Sequence, residues 1–285
     1  MNVKVKKKMK KRGFVILLSA AVIAAVIIGV MNCVQTPQAP ETPSTSHSSA
    51  TSSATAAATE ATNSSTEAPV TTTASSGSTV KKLLNVEPLL QDNYPSGCEI
   101  YASVTLLNYY GFSVDDIEFV ENYLHAEPIS NDGDSEYAPS LYSAFAGSPE
   151  FGYGVYAPSL KSSIDQYLSD YHADLTAKIE SNCTLDDLCK RHINSTRPVI
   201  IWGTTDMEEP YDYIDWIIDY ADDQSSLKKG DTFHWPTTEH CMVLVGYDEE
   251  QYYFADSLDA TVVSYPKEPC EQAFKALGSQ AIYLA

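Results

Sequence analysis

Residues 34–79 hold 11 Ser, 12 Thr, 9 Ala and 4 Pro in 46 positions, and no apolar side chain larger than Val. A stretch of that kind cannot bury enough surface to offset the entropy of ordering it, so it is expected to stay solvated and extended. It divides the sequence into a short N-terminal segment and a C-terminal part, residues 80–285, with the composition to fold. As a spacer over residues 32–79, it would hold the folded part away from whatever the N-terminus is fixed to.

The N-terminal segment reads as an address. Lys4, Lys6, Lys7, Lys8, Lys10, Lys11 and Arg12 form a basic tail over residues 1–13, followed by an uncharged apolar run over residues 14–31. Eighteen residues make roughly 27 Å of helix, enough to cross a bilayer. A cleaved signal peptide has a shorter apolar region and a small-residue cleavage site, which does not follow Met31, so an uncleaved anchor is expected. Between Gly13 and Val80 there is no Lys or Arg. The basic tail should therefore stay cytoplasmic and the remainder lie outside a cell membrane crossed once. Cys33 follows Asn32, where a lipid anchor would want a small residue, so lipidation is not expected.

From Val80 onward the chain has 11 basic and 35 acidic side chains, a balance of −24. Phosphate backbones would be repelled, which excludes nucleic acid as a partner. The chain as a whole has 19 Tyr and is 11% aromatic, enough large side chains for one ordinary core.

Within this part, a short strand is expected over residues 83–86. A helix then starts from a capping box of Ser96 and Glu99, carries Ile100, Val104 and Leu107 on one face, and ends at Gly111. A second cap, Ser113 with Asp116, opens another amphipathic helix. Residues 125–156 form a long polar stretch of the kind that lines a site, with Gly152-Tyr153-Gly154 as a turn in its wall. Pro158 suits the first turn of a helix, Thr184 with Asp187 caps another, and residues 199–202 read as a buried strand. Acidic residues 206–223, interleaved with aromatics, read as an amphipathic helix. Toward the C-terminus, the strand-like runs 242–245 and 252–254, separated by the turn-rich Asp248-Glu249-Glu250, read as an antiparallel hairpin, residues 261–265 and 280–284 add strands, and a short helix spans residues 270–277. Helices early and an antiparallel sheet late make an α+β domain.

Cys98 falls at the start of the first helix, where unpaired N–H groups and the positive end of the helix dipole favour a thiolate. His240 opens the hairpin 142 residues later, and Asp256 lies 16 residues beyond it. If the turn holds an odd number of residues, the two side chains share one sheet face and Cys241 takes the other; a loop one residue different would defeat this. Cysteine, histidine and a carboxylate in that relation are the parts of a nucleophilic hydrolase.

The segments Gln91-Asp92-Asn93-Tyr94-Pro95-Ser96-Gly97-Cys98-Glu99, Gly152-Tyr153-Gly154-Val155-Tyr156-Ala157-Pro158, Trp235-Pro236-Thr237-Thr238-Glu239-His240-Cys241 and Leu244-Val245-Gly246-Tyr247-Asp248 stand in one order along the chain. Together they resemble cysteine peptidase family 39-like domains, a bacteriocin-leader-processing branch of the papain superfamily, over residues 83–285. The resemblance implies a papain-like fold, with N-terminal helices packed on a C-terminal antiparallel sheet. It implies Cys98 as nucleophile, His240 as general base and acid, Asp256 as the group orienting the imidazole, and Gln91 as an oxyanion donor together with the Cys98 backbone N–H. Ser257 departs from the proline usual after the aspartate in that family.

The expected activity is hydrolysis of a peptide bond in a peptide or protein substrate outside the cytoplasm, without cofactor or metal. A wall-peptide amidase using the same dyad, and a surface binding or adhesion module without turnover, are the alternatives. No Walker motif accompanies the domain, which argues against leader processing coupled to export. The acidic balance should favour cationic substrates by long-range attraction. Zinc-ligand spacings such as CxxC and HExxH are absent, and Asp212, Asp215 and Asp219 do not have the spacing of a calcium loop. Disulfide pairing among Cys183, Cys189, Cys241 and Cys270 is left open. Cys183 and Cys189, however, would stand about 9 Å apart on a continuous helix, beyond the roughly 7 Å reach of a disulfide.

Overall fold

The first eight residues after Glu99 carry no charge, and four of them are Ile, Val or Leu, so they can form a helix only where all its faces are covered. In the computed structural model, which describes residues 81–285, this is helix α1 (Cys98–Tyr109), buried from Cys98 through Leu107. The other helices are α2 (Asp116–Tyr123), α3 (Ala157–Asp170), α4 (Leu185–Arg191) and α5 (Lys267–Ala276). In chain order the strands are β1 (Lys82–Leu83), β2 (Ala126–Glu127), β3 (Ser130–Asn131), β4 (Glu136–Pro139), β5 (Phe145–Ala146), β6 (Ala177–Glu180) and β7 (Val199–Thr204). They continue with β8 (Tyr213–Tyr220), β9 (Thr232–Pro236), β10 (Glu239–Tyr247), β11 (Gln251–Asp256), β12 (Thr261–Pro266) and β13 (Ala281–Leu284).

The main sheet is antiparallel, in the order β12-β11-β10-β7-β13-β6, with β1 paired to the end of β10. Helix α1 packs on β10 and β7, and α5 packs on β7. Both strands are buried almost throughout, which is why they read as continuous apolar runs rather than alternating ones. A second sheet, β3-β4-β8-β9, and the parallel pair β2-β5 stand beside it. The fold is α+β with helices against an antiparallel sheet, as the sequence implies.

Several local expectations change. Ser96 does not cap α1: the N-cap is Gly97, without a side-chain bond, and Glu99 is buried instead of reaching back to the cap. The cap of α2 is Asp115, whose carboxylate accepts the Glu118 N–H, so neither Ser113 nor Asp116 is the capping residue. Acidic residues within 206–223 form strand β8, not a helix. Trp216 and Ile218 are buried on alternate positions while Tyr213 and Asp215 are exposed, a period of two that the aromatic and β-branched composition supports. The polar stretch 125–156 is not all loop, since it contains β2 to β5. By contrast, Thr184 and Asp187 make the full reciprocal capping box at α4, and α3 starts with proline in its first turn.

The hairpin β10-β11 decides the geometry of the site. Its tip pairs Tyr247 with Tyr252, enclosing the four residues 248–251, an even number that by itself would set His240 and Asp256 on opposite faces. The odd residue is taken up between Leu244 and Gly246, where the register shifts. Val243 then pairs with Ala255, which places Asp256 opposite Met242 and on the same face as His240. Gly246 is needed at that bulge because β1 crosses it: a Cβ there would meet the Lys82 carbonyl oxygen at 2.6 Å.

Among the described residues no helix is long and apolar enough to cross a membrane. The expected tail, anchor and spacer of residues 1–79 lie outside the described residues. Cys98, Cys183, Cys189, Cys241 and Cys270 are all free thiols.

Candidate active site

Cys98 is the first residue of α1, and Pro95, Ser96 and Gly97 fold tightly before it. A Cβ on Gly97 would strike Ile100 Cδ1 at 2.9 Å, so glycine lets the loop close onto the helix start. The cysteine is buried but opens onto a cavity of about 230 Å³. Gln91, Trp235, Glu239 and His240 line the same cavity, with Gly152 and Tyr153 in its wall, as the turn reading of that segment implied.

His240 sits near the start of β10, 3% exposed, and its Nε2 lies 2.8 Å from Asp256 Oδ1. Asp256 ends β11, and the same oxygen accepts the Leu258 N–H at 2.9 Å. Burial works against the aspartate charge, but the hydrogen bond and charge of His240 hold its carboxyl below the usual range. With Nε2 committed to the aspartate, Nδ1 is the ring atom left to receive another proton.

Gln91 is held on both sides. Its backbone N–H donates to the Ser257 carbonyl at 2.8 Å, and its Oε1 accepts from the Ser257 hydroxyl at 2.8 Å. Its Nε2 donates to the Pro95 carbonyl at 2.7 Å, which leaves one amide hydrogen uncommitted. Ser257, the departure from the resembling family, thus supplies a hydrogen bond that proline could not, and this ties Gln91 to the strand carrying Asp256.

The structure brings together the four residues singled out in the sequence, three on the cavity wall and Asp256 behind His240. The electrostatics differ from expectation. The start of α1 should favour a thiolate, yet the Cys98 thiol is pushed well above its ordinary value. Burial is the largest cause, followed by the nearby carboxyl groups of Glu99 and Glu239, with the Cys241 backbone amide acting the other way. In this arrangement Sγ donates to Glu99 Oε2 at 3.4 Å.

Sequence reasoning missed Glu99 and Glu239 as neighbours of the sulfur. A signal existed: the uncharged run after Glu99 marks a helix with no solvent face, so its second residue could not be a surface cap. The aromatic wall was also missed. Tyr153 stacks on Trp216 at 5.2 Å and leans on Trp235 at 5.1 Å, bringing β8 and β9 to the cavity. Its hydroxyl donates to Glu136 at 2.7 Å.

The family described as Peptidase_C39 like matches residues 83–282. The chain belongs to this family. Among solved structures, one described as a C39-like peptidase from Bacillus anthracis is similar, at 27% identity and a TM-score of 0.60, covering 72% of this chain and 98% of that one. Two others share 15% and 12% identity, each with a TM-score of 0.39. They are a double glycine motif protease from an AMS/PCAT transporter in complex with the leader peptide, and the peptidase domain of Streptococcus ComA, a bifunctional ABC transporter. The first covers 72% of this chain and 94% of its own, the second 70% and 98%. Likeness at that level carries nothing further about this chain. No curated protein matches it. Membership of the Peptidase_C39-like family makes the chain a cysteine-type peptidase, a hydrolase, and the cavity at Cys98 its candidate active site.

Proposed function

We propose that this C39-like peptidase hydrolyses a peptide bond with Cys98 as nucleophile and His240 as general base and acid. The observation that carries the reading is the meeting of Cys98, His240 and Gln91 on one cavity, with Asp256 hydrogen-bonded to the far nitrogen of His240. The Cys98 proton passes to Nδ1 of His240, and the thiolate attacks the carbonyl carbon of the scissile bond. The remaining Gln91 amide hydrogen and the Cys98 backbone N–H stabilise the oxyanion. The imidazolium then protonates the leaving amine as the C–N bond breaks. Water, deprotonated by His240, hydrolyses the thioester. Asp256 keeps the ring in the tautomer this requires.

The same reading places the domain outside the cell, tethered by residues 14–31 and spaced by residues 32–79. The basic tail before the apolar run and the absence of Lys and Arg from there to Val80 support that placement. Added protease should release the domain from intact cells, and a domain protected until the cells are lysed would refute the orientation.

The activity is tested with the full chain on a peptide library and on purified wall fragments. Cleavage that disappears in Cys98→Ala, at least about 10³-fold below the parent, is expected. Turnover of wall fragments alone would make the enzyme a wall-peptide amidase, and equal turnover by parent and variant would remove Cys98 from the chemistry.

A further inference from the structure

Two acidic side chains crowd the Cys98 sulfur, and neither has a part in the steps above. Glu99, the next residue in α1, is fully buried; it takes the Sγ hydrogen on Oε2 at 3.4 Å and the Val155 N–H on Oε1 at 2.7 Å. Gly154 makes room for it. At φ +111 a Cβ on that residue would come within 2.2 Å of Glu99 Oε1, so glycine is what lets the loop before α3 close over the carboxyl group. Glu239, half-buried at the start of β10, completes the cluster: its carboxyl, that of Glu99 and the sulfur lie within 4.8 Å of one another. Its Oε1 is sealed from solvent without a hydrogen-bond partner among the described residues.

Two carboxylates this close and this dry cannot both stay ionised near neutrality. Burial raises Glu99 to about 7, and burial with the Glu99 charge raises Glu239 well above the usual range. The other titratable groups facing the cluster are Cys241 on β10 and the Tyr156 hydroxyl ahead of α3, both raised by burial first, and His240 across the cavity. Cys98 therefore has two alternative partners: the carboxyl group it touches, and the imidazole on which hydrolysis depends.

We propose that Glu99 is a positioning residue that parks the Cys98 thiol against its own carboxyl group, proton still on sulfur, so that only the fraction of molecules in which the thiol has turned to His240 carries the reactive ion pair. This rests on the assignment of Cys98 and His240 made above. Glu239 reinforces the parked state by adding a second acidic group on the same side of the sulfur. Such a brake keeps a nucleophile that opens onto a cavity from reacting indiscriminately and leaves substrate binding to shift the balance.

The test is the pH dependence of Cys98 alkylation by iodoacetamide in the full-length protein, followed on the Cys98 peptide by mass spectrometry, so that it needs no substrate. Glu99→Gln keeps an oxygen for the Val155 N–H and removes the charge. Its alkylation midpoint should move down by about one pH unit, with labelling at pH 7 about tenfold faster than in the parent. An unchanged or higher midpoint in a variant that still unfolds cooperatively would overturn the proposal, since a purely structural role would lower the melting temperature and leave the midpoint in place. If Glu99→Gln does not fold, Glu239→Gln is assayed in the same way: a downward shift supports the brake and none overturns it. His240→Ala in parallel separates the two claims. If it leaves labelling untouched, the dyad fails, whereas the Glu99 effect is read from its own midpoint.

Discussion

Exchanging His240 for alanine is expected to lower kcat/KM for peptide hydrolysis by on the order of 10³-fold, the range for losing a positioned general acid-base. The reason lies in the environment of the sulfur. Burial and two acidic neighbours hold the thiol protonated, and the described groups acting on its ionisation include no Lys or Arg. Without the imidazole the thiol keeps only its contact with the Glu99 carboxyl, the arrangement that leaves the proton on sulfur. Alkylation of Cys98 at pH 7 should fall as well, below that of an ordinary exposed thiol, which is already only a few per cent ionised at that pH. Parent, His240→Ala and Glu99→Gln should therefore rank with the parent in the middle. Circular dichroism should be unchanged, because Asp256 retains the Leu258 N–H when the ring is removed. Labelling of His240→Ala at the parent rate would mean that the sulfur is activated by something else.

The second large effect concerns stability. Trp202 lies in β7 with no exposed surface, edge-on to Tyr156, and its indole N–H donates to the Val155 carbonyl at 3.0 Å. Trp202→Ala should cost about 3–5 kcal/mol from lost burial and the cavity left behind. In a domain of this size that lowers the melting midpoint by roughly 6–20 °C. Val155 is the residue whose N–H anchors Glu99, so the loss should propagate to the cluster around Cys98. Trp202→Phe keeps most of the volume but orphans the Val155 carbonyl, and should cost about 1–3 kcal/mol. Urea unfolding of the three proteins checks the order, and a cost below about 1 kcal/mol for Trp202→Ala would mean that the β7 core relaxes around the gap.

Much of the site was legible before any coordinates. Cys98 at a helix start and His240 at a strand start followed from local patterns, and both line one cavity. The hairpin, the buried strand at Val199 and the capping box at Thr184 were likewise readable, because each depends on neighbours close in sequence. Residues 206–223 were misread because acidic residues and aromatics there fit a helical stripe about as well as an alternating one. Pairing with β9 and with β4 settles the matter, and β4 lies some 80 residues earlier in the chain, with Tyr137 paired to Ile217.

By itself the amino-acid sequence determined where a core could exist, which elements carry the nucleophile and the histidine, and the excess of acidic charge. These follow from composition and from side-chain periodicity along a local backbone. Only the tertiary structure decided that Asp256 shares a face with His240, since a turn of even length is offset by a bulge at Val245 that no residue pattern announces. It also decided that Glu99 and Glu239 crowd the sulfur. Their ionisation depends on the dielectric around them, and that is set by the side chains that close over the pair once α1, β10 and the loop before α3 have packed together.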